Sequence, residues 1–332
     1  MDSNQKIKVG ISIGDPNGIG IEIILKAFED KRMFDFFIPI VFGNMNLITF
    51  QKNHFNLNTH LNLIRDIKDS KINQLNIINV WEEKFNVTFG KSNKNAGEIS
   101  FKSLEEGTNA LKNDRIETLV TAPINKDNIQ SEKFKFKGHT DYLSQQLMGE
   151  SLMFMIADNL KVGLITDHVP IKEITSLISQ ELVEKKISLI EKSLKLDFKI
   201  VKPKIAILAI NPHAGDNGVI GDEDDKILIP IIHKLKKNKI MVFGPYPADS
   251  FFGAKTYLKF DAVLATYHDQ GLIPFKTLSF GNGVNYTAGL NKVRTSPDHG
   301  TGYEIAGKGI AKKQSFVEAL FLSRSIFIER SR

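Results

Sequence analysis

Short β-branched apolar runs alternate with helical patterns along almost the whole chain, and this alternation restricts the fold more than any other feature. Runs at residues 8–13, 37–42, 116–121, 152–157, 161–165, 204–210, 240–243 and 261–265 read as buried strands. Amphipathic patterns at 97–112, 141–148, 180–196, 223–237 and 314–330 read as helices set between or after them. Strands without polar alternation are buried on both faces, so the expectation is an α/β fold with a mostly parallel sheet covered on each side. At 332 residues the chain exceeds the size at which one core keeps growing, so two domains are expected. Loop density near 130–138 places residues 1–135 with 295–332 in the first domain and 136–294 in the second. Residues 51–95, rich in Asn and Lys, read as peripheral loops with short strands such as 75–80.

Composition removes several classes of function. There is no cysteine, so disulfides and thiolate chemistry are excluded and any metal must take nitrogen and oxygen ligands. The net charge is +6, but Lys and Glu are interspersed, and the basic run at 234–239 reads as the solvated end of a helix. That pattern argues against nucleic-acid binding and suits an anionic, phosphorylated small molecule. Residues 1–8 are polar, with no apolar signal core, and no stretch approaches the roughly 18 apolar residues of a membrane span. The expectation is a cytoplasmic protein without a membrane partner. Neither a Gly-Lys-Ser/Thr phosphate loop nor Gly-x-Gly-x-x-Gly after a strand occurs.

Four histidines stand in polar loops of this pattern: His139 in Gly138-His139-Thr140-Asp141, His168 in Thr166-Asp167-His168, His213 in Asn211-Pro212-His213-Ala214-Gly215, and His268 in Tyr267-His268-Asp269-Gln270-Gly271. Three of them follow strand-like runs. Ligands bind open α/β sheets beyond the carboxyl ends of the strands, and imidazoles converging there suit a divalent metal. Spacing alone leaves open which three of the four would ligate. His54, His60 and His233 stand in polar or helical-surface settings and take no role. The loop at residues 14–20 follows a strand and opens a helix, so it reads either as an anion cradle or as a tight turn. The stretch from Phe275 to Gly302 is dense in cations, amides and glycines. Within it Arg294 reads as a rigid-turn arginine suited to phosphate or carboxylate. Asp249 and Asp269 follow strands and read as general bases or helix caps.

Taken together, Gly14-Asp15-Pro16-Asn17-Gly18-Ile19-Gly20, Gly138-His139-Thr140, Asn211-Pro212-His213-Ala214-Gly215, Gly244-Pro245-Tyr246-Pro247-Ala248-Asp249, Tyr267-His268-Asp269-Gln270-Gly271 and Arg294-Thr295-Ser296-Pro297-Asp298-His299-Gly300-Thr301 resemble the 4-hydroxythreonine-4-phosphate dehydrogenase family of pyridoxal-phosphate biosynthesis. The motifs follow the family's order from about Lys8 to the last helix, and residues 44–95 are less typical. The resemblance implies two α/β/α domains around a cleft, as in isopropylmalate dehydrogenase, and a homodimer whose active site is shared at the interface. It implies a divalent metal (zinc, magnesium or cobalt) on His168, His213 and His268, with His168 supplied by the partner subunit. It assigns substrate contacts to His139, Thr140, Lys276, Asn285 and Arg294. Lys276, Asp249 and Asp269 are then candidates for catalytic proton transfer. Gly14, Asp15, Gly18, Asp298 and His299 are candidates for contacts to NAD or NADP. The implied reaction oxidises the C3 hydroxyl of 4-phosphohydroxythreonine and releases carbon dioxide, giving 3-amino-2-oxopropyl phosphate. Two alternatives remain: a sister dehydrogenase acting on erythronate or threonate 4-phosphate, and a nucleotide-independent zinc hydrolase or lyase. The second lacks any His-Glu-x-x-His arrangement.

Overall fold

The computed structural model describes residues 5–147 and 149–332. The apolar runs become strands at nearly the expected positions. Along the first stretch the order is β1 (Ile7–Ser12), α1 (Gly20–Glu29), α2 (Met33–Phe36), β2 (Phe37–Gly43), α3 (Met45–His54), β3 (Leu61–Ile64), β4 (Leu75–Asn79), α4 (Lys94–Lys112), β5 (Thr118–Thr121) and α5 (His139–Gln146). There follow β6 (Leu152–Ala157), β7 (Leu160–Leu164), α6 (Ile174–Leu177), α7 (Gln180–Leu196), β8 (Ile205–Leu208), α8 (Ile229–Lys237), β9 (Val242–Tyr246), α9 (Ala248–Gly253), β10 (Ala262–Ala265), α10 (His268–Ser279) and β11 (Val284–Ala288). The chain closes with β12 (Val293–Pro297) and α11 (Gln314–Ser331). Helix starts carry the expected chemistry: the Asn93 side chain accepts from the Ala96 amide at 2.8 Å, and Ser179 accepts from Leu182 at 3.2 Å.

The chain divides into two units, Met1–Gly149 with Leu290–Arg332, and Glu150–Gly289. Both limits lie off the 135/136 and 294/295 expected from the sequence. The first moves because α5 belongs to the first unit's core, where Tyr142 packs on Phe101 and Phe134 with ring centroids 5.9 and 5.4 Å apart. The second moves because β12 pairs with β5 from Val293 onward and Leu290 is buried in the same core. The expected helix 141–148 begins two residues earlier, and its last residue, Met148, lies outside the described residues.

In the first unit the strand order is β3-β4-β2-β1-β5-β12, and among the described residues these strands pair parallel. Successive side chains of a strand face opposite ways, and β5 uses both faces. Leu119 packs with Leu104 of α4, whereas the Thr118 hydroxyl meets Ser323 of α11 at 3.2 Å. The segment read as peripheral loops thus contributes the two outermost strands, β3 and β4.

The second unit has the order β11-β6-β7-β10-β8-β9. Here β7, β10, β8 and β9 run parallel, while β6 pairs antiparallel with both β7 and β11. The antiparallel part arises because Asp158 and Asn159 alone separate β6 from β7, with Asp158 at φ +40°, and so short a turn can only reverse the chain. Gly163 of β7 lies against Ile190 of α7, and its neighbour Val162 lies against Gly271 of α10. Each unit is therefore a sheet between two helical layers. No helix among the described residues is long and apolar enough to cross a membrane.

Candidate functional site

In the second unit the three family-implied metal histidines leave adjacent parallel strands. β10 pairs with β7 on one side and β8 on the other, so His168, His268 and His213 all emerge from the same edge of the sheet, beyond its carboxyl ends. The His168 and His268 rings stand 5.6 Å apart between centroids, and both line a cavity of about 270 Å³ with Asp167, Ile171, Ile174 and Asp269. His268 Nδ1 bonds Asp269 Oδ1 at 2.7 Å, which leaves Nε2 as the nitrogen facing away from that carboxylate. Asp167 accepts from the His168 amide at 2.7 Å. Burial pushes the Asp167 carboxyl up, but that bond and the neighbouring His168 and Lys186 charges outweigh it and hold the carboxyl below its usual range.

His213 is not drawn into this pair. It sits in an exposed turn, with His213 and Ala214 at φ +53° and Asp216 at φ +45°, and no group of three metal-binding side chains closes among the described residues. Two imidazoles with carboxylate neighbours fit a borderline divalent ion; a third ligand has to arrive from elsewhere. The pairing of His168 with His268 inside one chain runs against assigning His168 alone to a partner subunit. His268 and Asp269 also lie in the first turn of α10, where the sequence suggested a loop. Lys276 is in the last turn of that helix and exposed, Asp249 is exposed in the first turn of α9, and Asn285 is on β11 with its Oδ1 buried and without a partner.

In the first unit, Arg294 is 1% exposed. It lies within β12, not in a turn, opposite Leu119 of β5. Its Nε donates to Thr121 Oγ1 at 3.2 Å, and Nη2 donates to the same oxygen. Burial pulls the guanidinium down to about 9, so it remains a cation near neutral pH. His139 opens α5, with Thr140 beside it, and its Nε2 is shut off from solvent without a hydrogen-bond partner. Burial first, then the charges of Arg294 and Lys126, hold His139 well below the usual 6.5. A buried arginine, a lysine and a neutral imidazole with a spare nitrogen form a setting that favours an anion. From sequence alone Thr121 and Lys126 carry no role, although Thr121 ends a strand-like run and Lys126 lies in the loop that follows it.

The loop at residues 14–20 is a turn closed by the protein itself. The Asp15 amide donates to Pro123 O at 2.8 Å, Asn17 to Asp15 Oδ1 at 2.8 Å, Gly18 to Asp15 O at 3.1 Å and Ile19 to Thr301 O at 3.0 Å. Gly14 has φ +66°, and a Cβ there would come within 2.2 Å of Pro123 O. Asp15 is buried and accepts from Asn128 and from the Tyr303 hydroxyl, each at 2.7 Å. Burial, with that carboxylate, pushes the Tyr303 hydroxyl up to about 12. Those four amides are thus already engaged within the protein, and none of them faces an open anion cradle. Asp298 receives a 3.2 Å bond from Ser315, while His299 keeps a buried Nε2 without a partner.

Against known proteins, residues 35–323 match the family model described as pyridoxal phosphate biosynthetic protein PdxA. The chain is 41% identical over 334 residues to the 4-hydroxythreonine-4-phosphate dehydrogenase of Bacteroides thetaiotaomicron, covering all of this chain and 92% of the relative. It is 34% identical to an Oceanobacillus iheyensis protein provisionally named a D-threonate 4-phosphate dehydrogenase, covering 96% of this chain and 97% of the relative. The crystal structure of 4-hydroxythreonine-4-phosphate dehydrogenase from Klebsiella pneumoniae superposes with TM-score 0.81 at 28% identity, covering 99% of this chain and all of that one.

Proposed function

The chain belongs to the pyridoxal phosphate biosynthetic protein PdxA family, and from that premise we propose that it is a 4-hydroxythreonine-4-phosphate dehydrogenase. The observation that carries this reading is the likeness, from end to end, to a relative of that activity. The substrate loses the C3 hydroxyl proton and a hydride, becomes a β-keto acid, and then breaks its C1–C2 bond. The electron pair of that bond passes into the ketone as carbon dioxide leaves, and a proton returned to C2 completes 3-amino-2-oxopropyl phosphate.

The residues divide these tasks. Arg294, His139, Thr140 and Lys126 hold an anionic end of the substrate, the imidazole donating from Nε2 while its depressed pKa keeps it neutral. Lys276 Nζ and Asn285 bind the remaining polar groups, and Lys276, on α10, is the candidate to return the proton to C2. Asp249 is the candidate base for the hydroxyl proton. Asp269, engaged with His268 Nδ1, orients that imidazole. His168, His268 and His213 would hold a divalent ion, zinc, magnesium or cobalt, whose contribution is Lewis-acid polarisation of substrate oxygens. NAD or NADP would accept the hydride, with Asp298 and His299 as the contacts best supported, since the donors at Asp15 and Gly18 are already engaged.

The working form is a cytoplasmic homodimer. Large apolar side chains exposed in the second unit, among them Ile171, Val219, Ile273 and Phe280, suit a buried subunit interface. A shared site would then bring His213 of one subunit to the His168–His268 pair of the other.

The Oceanobacillus relative keeps one rival alive, oxidation of a phosphorylated sugar acid on the same scaffold. Incubating the protein with NAD or NADP, a divalent metal and each substrate in turn separates the two by reduced-nicotinamide absorbance. Turnover fastest on 4-phosphohydroxythreonine is expected; faster turnover of threonate or erythronate 4-phosphate overturns the assignment.

A further inference from the structure

One side chain ties the strand end that carries His268 to the strand end that carries His213. The regular ladder between β10 and β8 stops at Leu264 and Ile207, and that between β10 and β7 at Ala265 and Leu164. Beyond it, Gln270 in the first turn of α10 takes over. Its Oε1 accepts from the Thr266 amide at 2.7 Å and from Thr266 Oγ1 at 2.8 Å, and its Nε2 donates to the Ala209 carbonyl at 2.7 Å. On the far side of β10, Thr166 Oγ1 donates to the Thr266 carbonyl at 2.7 Å. Thr166 leads into His168, Thr266 into His268 and Ala209 into His213. All three linking residues are buried, so these bonds are not exchanged for water at little loss.

The chemistry of the bridge selects glutamine. The position must accept from two donors on β10 and donate to a carbonyl on β8, which an amide does with its two ends. Glutamate would keep both acceptor contacts but turn an oxygen lone pair toward Ala209 O. The segment leading to His213 is also held by the Ala209 amide, which donates to Tyr246 O at 2.8 Å, and by Asn211 Nδ2, which donates to Glu223 Oε2 at 2.7 Å. Its turn is exposed and left-handed, and beyond Ala209 the buried Asp224 holds it through the Ile210 and Asn211 amides at 2.8 and 2.9 Å.

We infer that Gln270 is a positioning residue for metal binding: through Ala209 it fixes the strand end from which His213 is presented to the shared site. This inference rests on the reading that the three imidazoles bind one ion. It is tested with zinc alone, by equilibrium dialysis of the metal-stripped full-length protein, beside circular-dichroism melting. Gln270→Glu should weaken zinc roughly ten- to a hundredfold, as losses of outer-shell support do, while the protein stays folded. Because the defect acts through His213, Gln270→Glu combined with His213→Ala should bind zinc no more weakly than His213→Ala alone. Gln270→Met carries the same expectation if the glutamate variant does not fold. Zinc binding by Gln270→Glu equal to wild type, or losses that multiply in the double variant, overturns the inference. So does failure of both variants to fold, which assigns Gln270 to the fold alone. Wild-type protein that takes up no zinc instead overturns the metal reading itself.

Discussion

Replacing Arg294 with methionine should weaken the phosphorylated substrate far more than its unphosphorylated analogue. Arg294 is buried on β12 and held by Thr121 through Nε and Nη2, so its guanidinium is pre-positioned and loses little freedom on meeting an anion. A charge-assisted contact of this kind is worth about 1.5–3 kcal/mol, which is roughly ten- to a hundredfold in affinity. Methionine keeps an unbranched chain in the same space and removes only the donors and the charge. Lysine should recover part of the loss, because an ammonium retains the charge but cannot make a two-pronged contact. The same change should also be felt at His139. Burial is the main cause of its low pKa, and the Arg294 charge is the next, so the His139 imidazole should titrate closer to 6.5 in Arg294→Met. Initial rates by nicotinamide absorbance with the two substrates, and an NMR titration of the histidines, read both effects. Equal weakening of substrate and analogue would show that Arg294 reads the carboxylate or only supports the strand, and an unmoved His139 would remove the charge coupling.

Mixing inactive His168→Ala protein with inactive His213→Ala protein should restore activity through heterodimers, because one site of the two then receives a His168–His268 pair from one subunit and His213 from the other. Mixing His168→Ala with His268→Ala should restore none, and recovery there would show that the pair is split between subunits. His139 makes stability fall on the acid side: its folded pKa lies below the unfolded value of about 6.5, so the unfolded chain binds the proton first. The loss begins as pH drops through about 6.5, continues down to the folded pKa, and amounts to at most about 1.4 kcal/mol per pH unit. Urea titrations of wild type and His139→Gln between pH 7 and 5 check this, and identical slopes would count against it. Gly14→Ala should destabilise by more than about 2 kcal/mol, since the residue needs φ +66° and a Cβ meets Pro123 O at 2.2 Å; an unchanged melting temperature would mean that the turn relaxes freely.

The local pattern of the chain was enough to establish the α/β class, most strand positions and the presence of histidines at strand ends, because periodicity and burial act over a few residues. His168, His213 and His268 could be singled out in this way. Their arrangement could not, since it depends on β10 lying between β7 and β8, a matter of strand order that no local pattern encodes. Arg294 read as a turn residue because its stretch is bounded by Pro297 and Gly300. Its partner, Thr121, lies 173 residues earlier and meets it only when β12 pairs with β5. The loop at residues 14–20 allowed two readings for a related reason: two of its amide donors, those of Asp15 and Ile19, face carbonyls of Pro123 and Thr301, brought there by folding. Hydrogen-bond partners remote in sequence decide whether a polar group is spent on the fold or left open to a ligand, and only the tertiary structure assigns them.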